Sequence, residues 1–354
     1  MHSAAGRDAV RRKGDLRHFR EAGATLREDM RTANGHALSY SQVVRALLVV
    51  NPQATTTTPA GRDVLAHALA SDVKLEVVET SYRGHAADAA HQAAADGFDL
   101  VIAHGGDGTV NEVVNGVLRG GPRPEKPMLG VVPGGSANVF AGALGIPRDP
   151  VEATHVLLQA IEHGTKRRVG LGQVFADVIE NGRWFTFNAG VGLDADVVAG
   201  VEHKRAKGRT ASPFLYLSVA LKAYGQLVRK PQHFTVEVPD EAPFDTDGMV
   251  FVSNTDPWTY FGDRAIQLNP STSFDGGLGV SALRTLRVPT VGRYIAQVLA
   301  TGNPKSGKLV RRDDVGYVRV KCEDPANLQV DGDFLGTTTE VEFRAVPDAL
   351  TVAL

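Results

Sequence analysis

The stretch "HGGDGTVNEVVNG", residues 104–116, concentrates residue types that can hold a phosphate. It follows the apolar run "FDLVIA" and has glycines at 105, 106 and 108. Because Gly105, Gly106 and Gly108 lack Cβ atoms, their backbone N–H groups can approach an oxyanion closely. A helix that starts here directs its free N–H groups and its dipole at the same anion, and Thr109 can cap that helix or donate its hydroxyl. The stretch therefore predicts an anion-binding loop.

Asp107 shows what kind of anion this loop would bind. A carboxylate between glycines repels a bare phosphate, unless Mg2+ or a ribose hydroxyl lies between the two. The structural alternative is a tight strand-to-helix turn that Thr109 caps, with Glu112 completing a capping box. That alternative explains the glycines and Thr109 but not Asp107. Nucleotide binding is therefore the favoured interpretation.

A second glycine loop follows one strand later, in "PGGSANVFAGALGIP", residues 133–147. Pro133 ends the strand, Gly134 and Gly135 open the loop, and Ser136 offers a hydroxyl at the start of the next helix. Two such loops on adjacent strands suit a polyphosphate better than a single phosphate.

The surrounding pattern predicts the fold that holds both loops. Four apolar runs alternate with helical patterns; they are "RALLVV" (45–50), "VKLEVVE" (73–79), "FDLVIA" (98–103) and "MLGVV" (128–132). This alternation indicates an α/β fold with a parallel sheet covered by helices on both faces. Because ligands bind at the carboxyl ends of such strands, the loops at Asn51, Thr80, His104 and Pro133 should share one edge.

The length of 354 residues predicts more than one domain. Residues 1–42 are charged and read as a flexible extension, and residues 43–160 as the nucleotide-binding α/β domain. Residues 161–342 show short alternating runs and an Asn181-Gly182 turn, which predict a mostly antiparallel β domain. The last residues, about 343–354, are candidates for a return to the first domain. The active site is expected in the cleft between the two domains.

Composition narrows the class of protein. The formal net charge is -2, which gives no reason to expect nucleic acid as a partner. A single cysteine, Cys322, rules out an internal disulfide framework. No apolar run reaches the roughly 18 residues that span a bilayer, and the N-terminus has no signal-peptide core. A cytoplasmic protein is expected.

The motifs together resemble a known family. "GGDGTVNEVVNG" resembles the ATP-binding motif of the diacylglycerol kinase catalytic domain, which is found in soluble bacterial lipid kinases and in sphingosine kinases. The Asn51-Pro52 pair, Thr80 and the second glycine loop match that family in the same order. "NAGVGLDA" (188–195) and "QVDGD" (329–333) resemble its later motifs. The resemblance implies a first domain like that of NAD kinase and phosphofructokinase.

The resemblance also implies an activity and a set of site residues. The expected reaction is transfer of the γ-phosphoryl group of ATP, with Mg2+, to a lipid hydroxyl, most simply that of diacylglycerol to give phosphatidic acid. Asp333 would be the base, Asp331 would lie beside it, and Asp107 would organise the catalytic Mg2+. Asp275 would belong to a second-domain metal site. The implied nucleotide contacts are Asn51, Pro52, Thr80, Gly105, Gly106, Asp107, Gly108, Thr109, Asn111, Glu112, Gly134, Gly135 and Ser136.

Four positions depart from the family pattern: Gly142 stands where an arginine is common, and three others lack an acid. Val139 and Phe274 stand where the family often has an acid, and Gly279 stands where another acid is common. The departures weaken the expectation of a metal site at Asp275. A lipid substrate implies peripheral membrane contact, with an apolar groove in the cleft or the second domain. Edge strands of the second domain could also pair in a homodimer.

Two other functions remain open from the sequence. An NAD kinase-like enzyme would share "GGDGT" and the two-domain layout, but it would phosphorylate a nucleotide. A non-catalytic nucleotide-binding regulator would bind ATP without turnover, and the three missing acids favour it. The second glycine loop and the late "VDGD" favour the lipid kinase over the first alternative. The presence of both Asp107 and Asp333 favours the lipid kinase over the non-catalytic regulator.

Overall fold

The computed structural model describes residues 43–123, 125, 127–209, 213–261, 264–305 and 307–354. The predicted extension, residues 1–42, lies outside the described residues. Among the described helices, none is long and apolar enough to cross a membrane.

A parallel sheet forms the first part of the chain. It contains strands β1 (Arg45–Val50), β2 (Lys74–Glu79), β3 (Leu100–Gly105) and β4 (Met128–Pro133). Their order is β2-β1-β3-β4, and each neighbouring pair is parallel. Their carboxyl ends therefore meet at one edge, where the residues after β1, β3 and β4 lie side by side.

Five helices connect and follow these strands. They are α1 (Pro59–Leu69), α2 (His85–Ala95), α3 (Asp107–Val117), α4 (Val139–Ala143) and α5 (Pro150–His163). Local sequence sets some of their ends. The Thr58 hydroxyl accepts the N–H of Gly61 at the start of α1, and the Asp149 carboxylate accepts two N–H groups at the start of α5. Gly164, with a φ of 67°, ends α5 in the left-handed conformation.

Side chains of β1 alternate between two apolar cores. Leu47 and Val49 pack in the cluster that contains buried residues of α2 and α3. Leu48 and Val50 pack on the opposite face with residues of α1 and α5, such as Leu65. A sheet with apolar side chains on both faces, each covered by helices, is the predicted α/β arrangement, and the fold prediction is confirmed.

The rest of the chain is mostly antiparallel. Its strands are β5 (Lys166–Ala176), β6 (Arg183–Phe185), β7 (Asn188–Gly192), β8 (His233–Glu237), β9 (Phe244–Asp247), β10 (Met249–Ser253), β11 (Thr259–Phe261), β12 (Arg264–Ile266), β13 (Leu278–Leu283), β14 (Leu309–Val315), β15 (Tyr317–Val330) and β16 (Asp333–Ala353). Helices α6 (Leu193–Ala206), α7 (Pro213–Arg229) and α8 (Val288–Thr301) interrupt them. The predicted Asn181-Gly182 turn joins β5 to β6, which pair antiparallel.

The long strand β16 links the two parts of the sheet. Its first half pairs with β15, its second half pairs with β5, and Val352 lies parallel to Leu129 of β4. The end of the chain therefore lies against the parallel strands. The division into domains near residue 160 stays a prediction.

Candidate active site

The two glycine loops touch each other through their backbones. The N–H of Gly134 donates to the carbonyl of Gly105 at 2.7 Å. A Cβ on Gly135 would lie 2.6 Å from the Cα of Gly106, a distance that real Cβ atoms do not show. These glycines are therefore required by the packing of one loop on the other.

Gly108 differs from the other glycines of the first loop. Apart from its chain neighbours and the backbone of its own helix, a Cβ placed there would meet no described atom within 4 Å, and the residue is exposed. Its backbone conformation is that of an ordinary helix, so neither packing nor a positive φ requires glycine. The open space beside its backbone is where a ligand could approach the start of α3.

The loop after β1 lies against both glycine loops. The N–H of Asn51 donates to the carbonyl of His104, and its side-chain amide donates to the Thr109 hydroxyl at 3.1 Å. The Thr57 hydroxyl is buried and has no hydrogen-bond partner among the described residues; it lies 2.9 Å from the position of a Cβ on Gly134. An unpaired buried hydroxyl is costly unless a ligand or water satisfies it. The prediction from the sequence did not include Thr57.

Several predicted nucleotide contacts occupy the same edge in other ways. Pro52 and Ser136 are exposed. Thr80 directly follows β2, and its N–H donates to the carbonyl of Val50 at the end of β1. Helix α3 begins at Asp107 with Gly106 as its N-cap, so Thr109 lies inside the first turn and is not the cap. The Glu112 carboxylate accepts N–H groups of Gly84 and Ala86 at the start of α2. The proposed capping box between Thr109 and Glu112 is therefore wrong.

His104, which had no predicted role beyond lining the loop, is part of the core. Its side chain is buried, and Nδ1 lies 3.1 Å from the carbonyl oxygen of Val132 on β4. Because a carbonyl only accepts, Nδ1 carries the proton in this contact. Burial lowers the pKa of His104. The neutral ring therefore ties β3 to β4 directly below the glycine loops.

Asp107 connects the first glycine loop to the second. Its Oδ1 accepts the N–H of Phe140 at the start of α4 at 3.2 Å. Burial raises the pKa of Asp107 to about 6; the N–H groups of Val139 and Phe140 oppose this, and the charge of Asp331 adds to it. A partly desolvated carboxylate at this position is suited to a cation or to a proton.

Asp331 is held by many donors. The backbone turn at Asp331-Gly332 has positive φ at both residues, so the motif also forms the two-residue hairpin between β15 and β16. The buried carboxylate accepts the N–H groups of residues 186, 187 and 188, the Thr186 hydroxyl, and the Asn111 amide at 2.7 Å. Burial raises the pKa of Asp331, and these hydrogen bonds oppose the rise. Asn111 is thereby fixed by an acid 220 positions away.

Asp333 forms ion pairs through both of its oxygens. Oδ2 lies 2.5 Å from Nη2 of Arg183, and Oδ1 lies 3.0 Å from Nη2 of Arg83. The same Arg183 nitrogen donates to Oδ1 of Asn111 at 2.9 Å. Sequence reasoning missed both arginines. The one available signal was the position of Arg183, directly after the predicted Asn-Gly turn.

An apolar cavity of about 640 Å³ opens beside Asp107 and Asp331. Its polar end includes Asn188, Asp194 and Gln329. The rest of its wall is apolar and comes largely from α6, α7, α8 and β10; examples are Val197, Leu217, Ala220, Phe251, Trp258, Leu283, Tyr294 and Val298. Asp333 lines a different, polar cavity with Arg83 and Arg183. Asp107 and Asp331 therefore face the same apolar cavity, whereas Asp333 faces the polar one.

Asp275, the predicted metal ligand of the second domain, pairs with an arginine. Oδ2 of Asp275 lies 2.7 Å from Nη2 of Arg167. Phe274 is buried against Phe140, and a Cβ on Gly279 would lie 2.1 Å from the Thr272 hydroxyl, so a larger side chain does not fit there. No group of three or more metal-ligating side chains occurs in the described part of the chain. These contacts do not favour a metal at Asp275, and the metal site there stays a prediction.

Comparisons with known proteins agree with this arrangement. Residues 45–174 match the model of the diacylglycerol kinase catalytic domain. A diacylglycerol kinase of Bacillus subtilis (strain 168) is 28% identical over 263 residues, which are 73% of this chain and 78% of that protein. A protein of Chromohalobacter salexigens named probable lipid kinase YegS-like is 31% identical over 268 residues, which are 75% of this chain and 78% of that protein.

A solved structure shares the fold. The crystal structure of a putative diacylglycerol kinase from Bacillus anthracis str. Sterne superposes with a TM-score of 0.68 at 20% identity, covering 88% of this chain and 98% of that one. Sequence and fold agree: the chain belongs to the diacylglycerol kinase catalytic-domain family, whose members include kinases of lipids.

Proposed function

We propose that this protein is an ATP- and Mg2+-dependent lipid kinase that transfers a phosphoryl group to the hydroxyl of a lipid, with diacylglycerol as the first candidate. One observation carries the proposal: Asp107, on the first glycine loop, also lines the apolar cavity. A nucleotide phosphate at the loop and a lipid hydroxyl at the cavity's polar end would meet at this carboxylate.

The edge formed by the two glycine loops fits a nucleotide phosphate. Gly108 leaves the start of α3 open, and the unpaired Thr57 hydroxyl lies beside Gly134. Free N–H groups at a helix start favour a negative charge, and the Thr57 hydroxyl can donate to it. Asn51 holds Thr109 in place, so the first turn of α3 is preorganised.

Asp107 lies where the Mg2+ that accompanies ATP would come close, and its buried charge would hold that cation nearby. The oxygen that accepts the lipid proton must stay free of the metal, because a carboxylate that coordinates Mg2+ directly is a poor base. Bound with ATP, Mg2+ would neutralise the charge that develops on the transferred phosphoryl group. At Asp275 the contacts with Arg167 leave no comparable fit, and we propose no metal there.

The geometry favours Asp107 over Asp333 as the proton acceptor. Asp107 lines the cavity into which the lipid hydroxyl would point, whereas both oxygens of Asp333 are paired with arginines. The Asp331 carboxylate already accepts five hydrogen bonds, which leaves little capacity for another donor. We assign Asp107 as acceptor and Asp331 and Asp333 as positioning residues. The alternative, which the resemblance implies, is that Asp333 is the base. Variants of Asp107 and Asp333 distinguish the two assignments.

The cavity wall supports a lipid substrate at a membrane. In α7, Leu215, Val219 and Leu227 are buried, while the opposite face leaves Leu217 and Leu221 exposed. Helices α7 and α8 contain Lys222, Arg229 and Arg293 but no acidic residue. An exposed apolar face with cations and without acids suits the surface of an anionic bilayer. We propose that this face, the α7–α8 surface, makes the peripheral membrane contact.

The test is transfer of labelled phosphate from ATP to a panel of acceptors in mixed micelles. The panel contains dioleoylglycerol, a sphingoid base and NAD. The proposal predicts labelled lipid and no labelled NAD. Nucleotide binding without transfer to any acceptor would contradict the proposal and favour a regulatory role.

A further inference from the structure

Helix α4 supplies a donor that holds Asp107, but the helix is short. It spans five residues, and the N–H of Phe140 in its first turn donates to Oδ1 of Asp107 at 3.2 Å. The side chain of its N-cap residue, Asn138, bonds to the backbone of Gly135 and not to the helix. Because a helix of this length is not stable on its own, contacts from other elements must fix its position.

One such contact comes from the later part of the chain. A Cβ on Gly142 of α4 would lie 2.7 Å from the hydroxyl oxygen of Tyr260 and 3.3 Å from two of its ring carbons. Gly142 stands where the family commonly has an arginine. The space that a side chain at position 142 would enter is therefore filled by Tyr260, and α4 packs directly against the ring.

The Tyr260 ring has a second neighbour beside α4. The guanidinium carbon of Arg148, just before α5, lies 4.4 Å from the centroid of the ring. A cation over the face of a tyrosine is attracted by the negative charge of the ring face. Tyr260 is therefore held at α4 by both packing and charge.

The strand that contains Tyr260 also belongs to the wall of the apolar cavity. Trp258 and Thr259, directly before Tyr260, line the cavity. Strand β11 pairs with β12, and after β12 the N–H of Gln267 donates to the carbonyl of Gly302 at the end of α8 at 2.7 Å. Strands β11 and β12 therefore join the wall of the cavity to α4.

We propose that Tyr260 is a positioning residue for phosphoryl transfer. From the wall of the apolar cavity it fixes α4 and, through the N–H of Phe140, the orientation of the Asp107 carboxylate. Without the ring α4 would be free to shift, and a displacement of about 1 Å at a reacting group can slow a reaction about 100-fold. The role in transfer rests on the proposed kinase function, whereas the fixing of α4 does not.

Tyr260→Ala tests the role through the rate constants. In transfer of labelled phosphate from ATP to dioleoylglycerol, kcat should fall about tenfold or more. The KM for ATP should stay within about threefold, because the backbone groups of the glycine loops are unchanged. A kcat within about threefold of the wild-type value would overturn the inference. Tyr260→Leu replaces Tyr260→Ala if that variant does not fold, with the same expectation.

Tyr317→Ala is the matched control. Arg319 lies over the Tyr317 ring as Arg148 lies over that of Tyr260, and Tyr317 lines neither cavity of the site. The control should change neither kcat nor KM. Equal losses of kcat in the two variants would mean that any lost tyrosine has this effect, which would overturn the inference.

A pair of smaller substitutions tests the contact itself. Gly142→Ala should lower kcat about tenfold, because its Cβ would displace the Tyr260 hydroxyl, although alanine favours the helix. Tyr260→Phe keeps the ring and should keep kcat within about threefold of the wild-type value. In the double variant the hydroxyl is absent, so kcat should be about fivefold or more above that of Gly142→Ala. A double variant no faster than Gly142→Ala would contradict the inference.

Hydrogen exchange separates the inference from the proposed function, because it needs no catalysis. Peptides that cover α4 should exchange their amide hydrogens about tenfold faster or more in Tyr260→Ala, and at the wild-type rate in Tyr317→Ala. Unchanged exchange in Tyr260→Ala would overturn the inference and leave the kinase proposal intact. Faster exchange in Tyr260→Ala, together with a wild-type protein that phosphorylates no lipid, would overturn the kinase proposal and confirm that Tyr260 fixes α4.

Discussion

At the scale of single residues, Asp107 joins the first glycine loop to the apolar cavity. It is the first residue of α3, it accepts the N–H of Phe140 from the second loop, and it lines the apolar cavity. Burial raises its pKa to about 6. A general base is most effective when its pKa lies near the working pH.

The first prediction concerns pH. If Asp107 must be ionised in the free enzyme, kcat/KM rises as pH increases through about 6 and levels above it. Asp333→Asn should lower kcat, by about 10- to 100-fold through loss of the Arg183 contact, and should keep that ascending limb. The measurement is a pH–rate profile of both proteins. Loss of the limb in Asp333→Asn alone would assign the base to Asp333.

The acids were predictable from sequence, but their partners were not. Asp107, Asp331 and Asp333 lie in motifs of recognisable spacing. Arg83 and Arg183 reach Asp333 only through the tertiary fold, from positions 150 or more residues away. Local spacing contains no information about such pairs, so the roles of the three acids could not be separated before the structure.

At the scale of elements, the strand-to-helix connections after β3 and β4 form one unit. The backbones of Gly106 and Gly135 are in contact, and the loop after β1 closes over both through Asn51 and Thr56. Parallel strands made this edge predictable, because their carboxyl ends meet. The direct contact between the loops was not predictable, since it depends on the separation of two backbones.

The second prediction separates structural from ligand-facing glycines. Gly135→Ala should destabilise the protein by about 1–3 kcal/mol, because its Cβ would collide with Gly106. Gly108→Ala should keep or slightly raise stability, by up to about 1 kcal/mol, because alanine is the better helix former and meets no neighbour. It should nevertheless weaken nucleotide binding. Thermal melting measures the change in stability, and ATP titration measures the change in affinity. An unaltered ATP affinity of Gly108→Ala would mean that the phosphate does not bind at this loop.

The third prediction concerns the segment before β13. Asp275 is 68% exposed and pairs with Arg167, so Asp275→Asn should cost no more than about 1 kcal/mol. The Mg2+ concentration that half-saturates activity should not change, because no metal is expected at Asp275. Titrating Mg2+ in the transfer assay checks this. A marked rise in the half-saturating Mg2+ concentration of Asp275→Asn would instead support the metal site that the resemblance implies.

At the scale of the whole molecule, the parallel sheet presents the edge that carries the two glycine loops, and the later helices line the apolar cavity. Strand β16 ties these parts together through its pairing with β15, β5 and β4. The architecture was predictable from the change of hydrophobic period along the chain. The cavity was not, because its wall combines residues from segments far apart in the sequence, such as Asp107, Leu217 and Val298.

The fourth prediction tests the α7–α8 surface. Leu221 is 64% exposed and does not line the cavity, so Leu221→Glu should leave activity on micelle-dispersed lipid nearly unchanged. It should reduce sedimentation with anionic vesicles by about fivefold or more, since it adds a charge to an apolar face. Val151 is exposed on α5, so Val151→Glu is the matched control and should bind vesicles as the wild type does. Equal binding of both variants would place the membrane contact on another surface.

The central claim is that one carboxylate, Asp107, serves both the nucleotide and the lipid. The direct measurement is transfer of labelled phosphate from ATP to dioleoylglycerol by the wild-type protein and by Asp107→Asn. The account predicts transfer by the wild type and a loss of about 1,000-fold or more in the variant, with the same melting temperature to within a few degrees. Transfer by Asp107→Asn within about tenfold of the wild-type rate would contradict it.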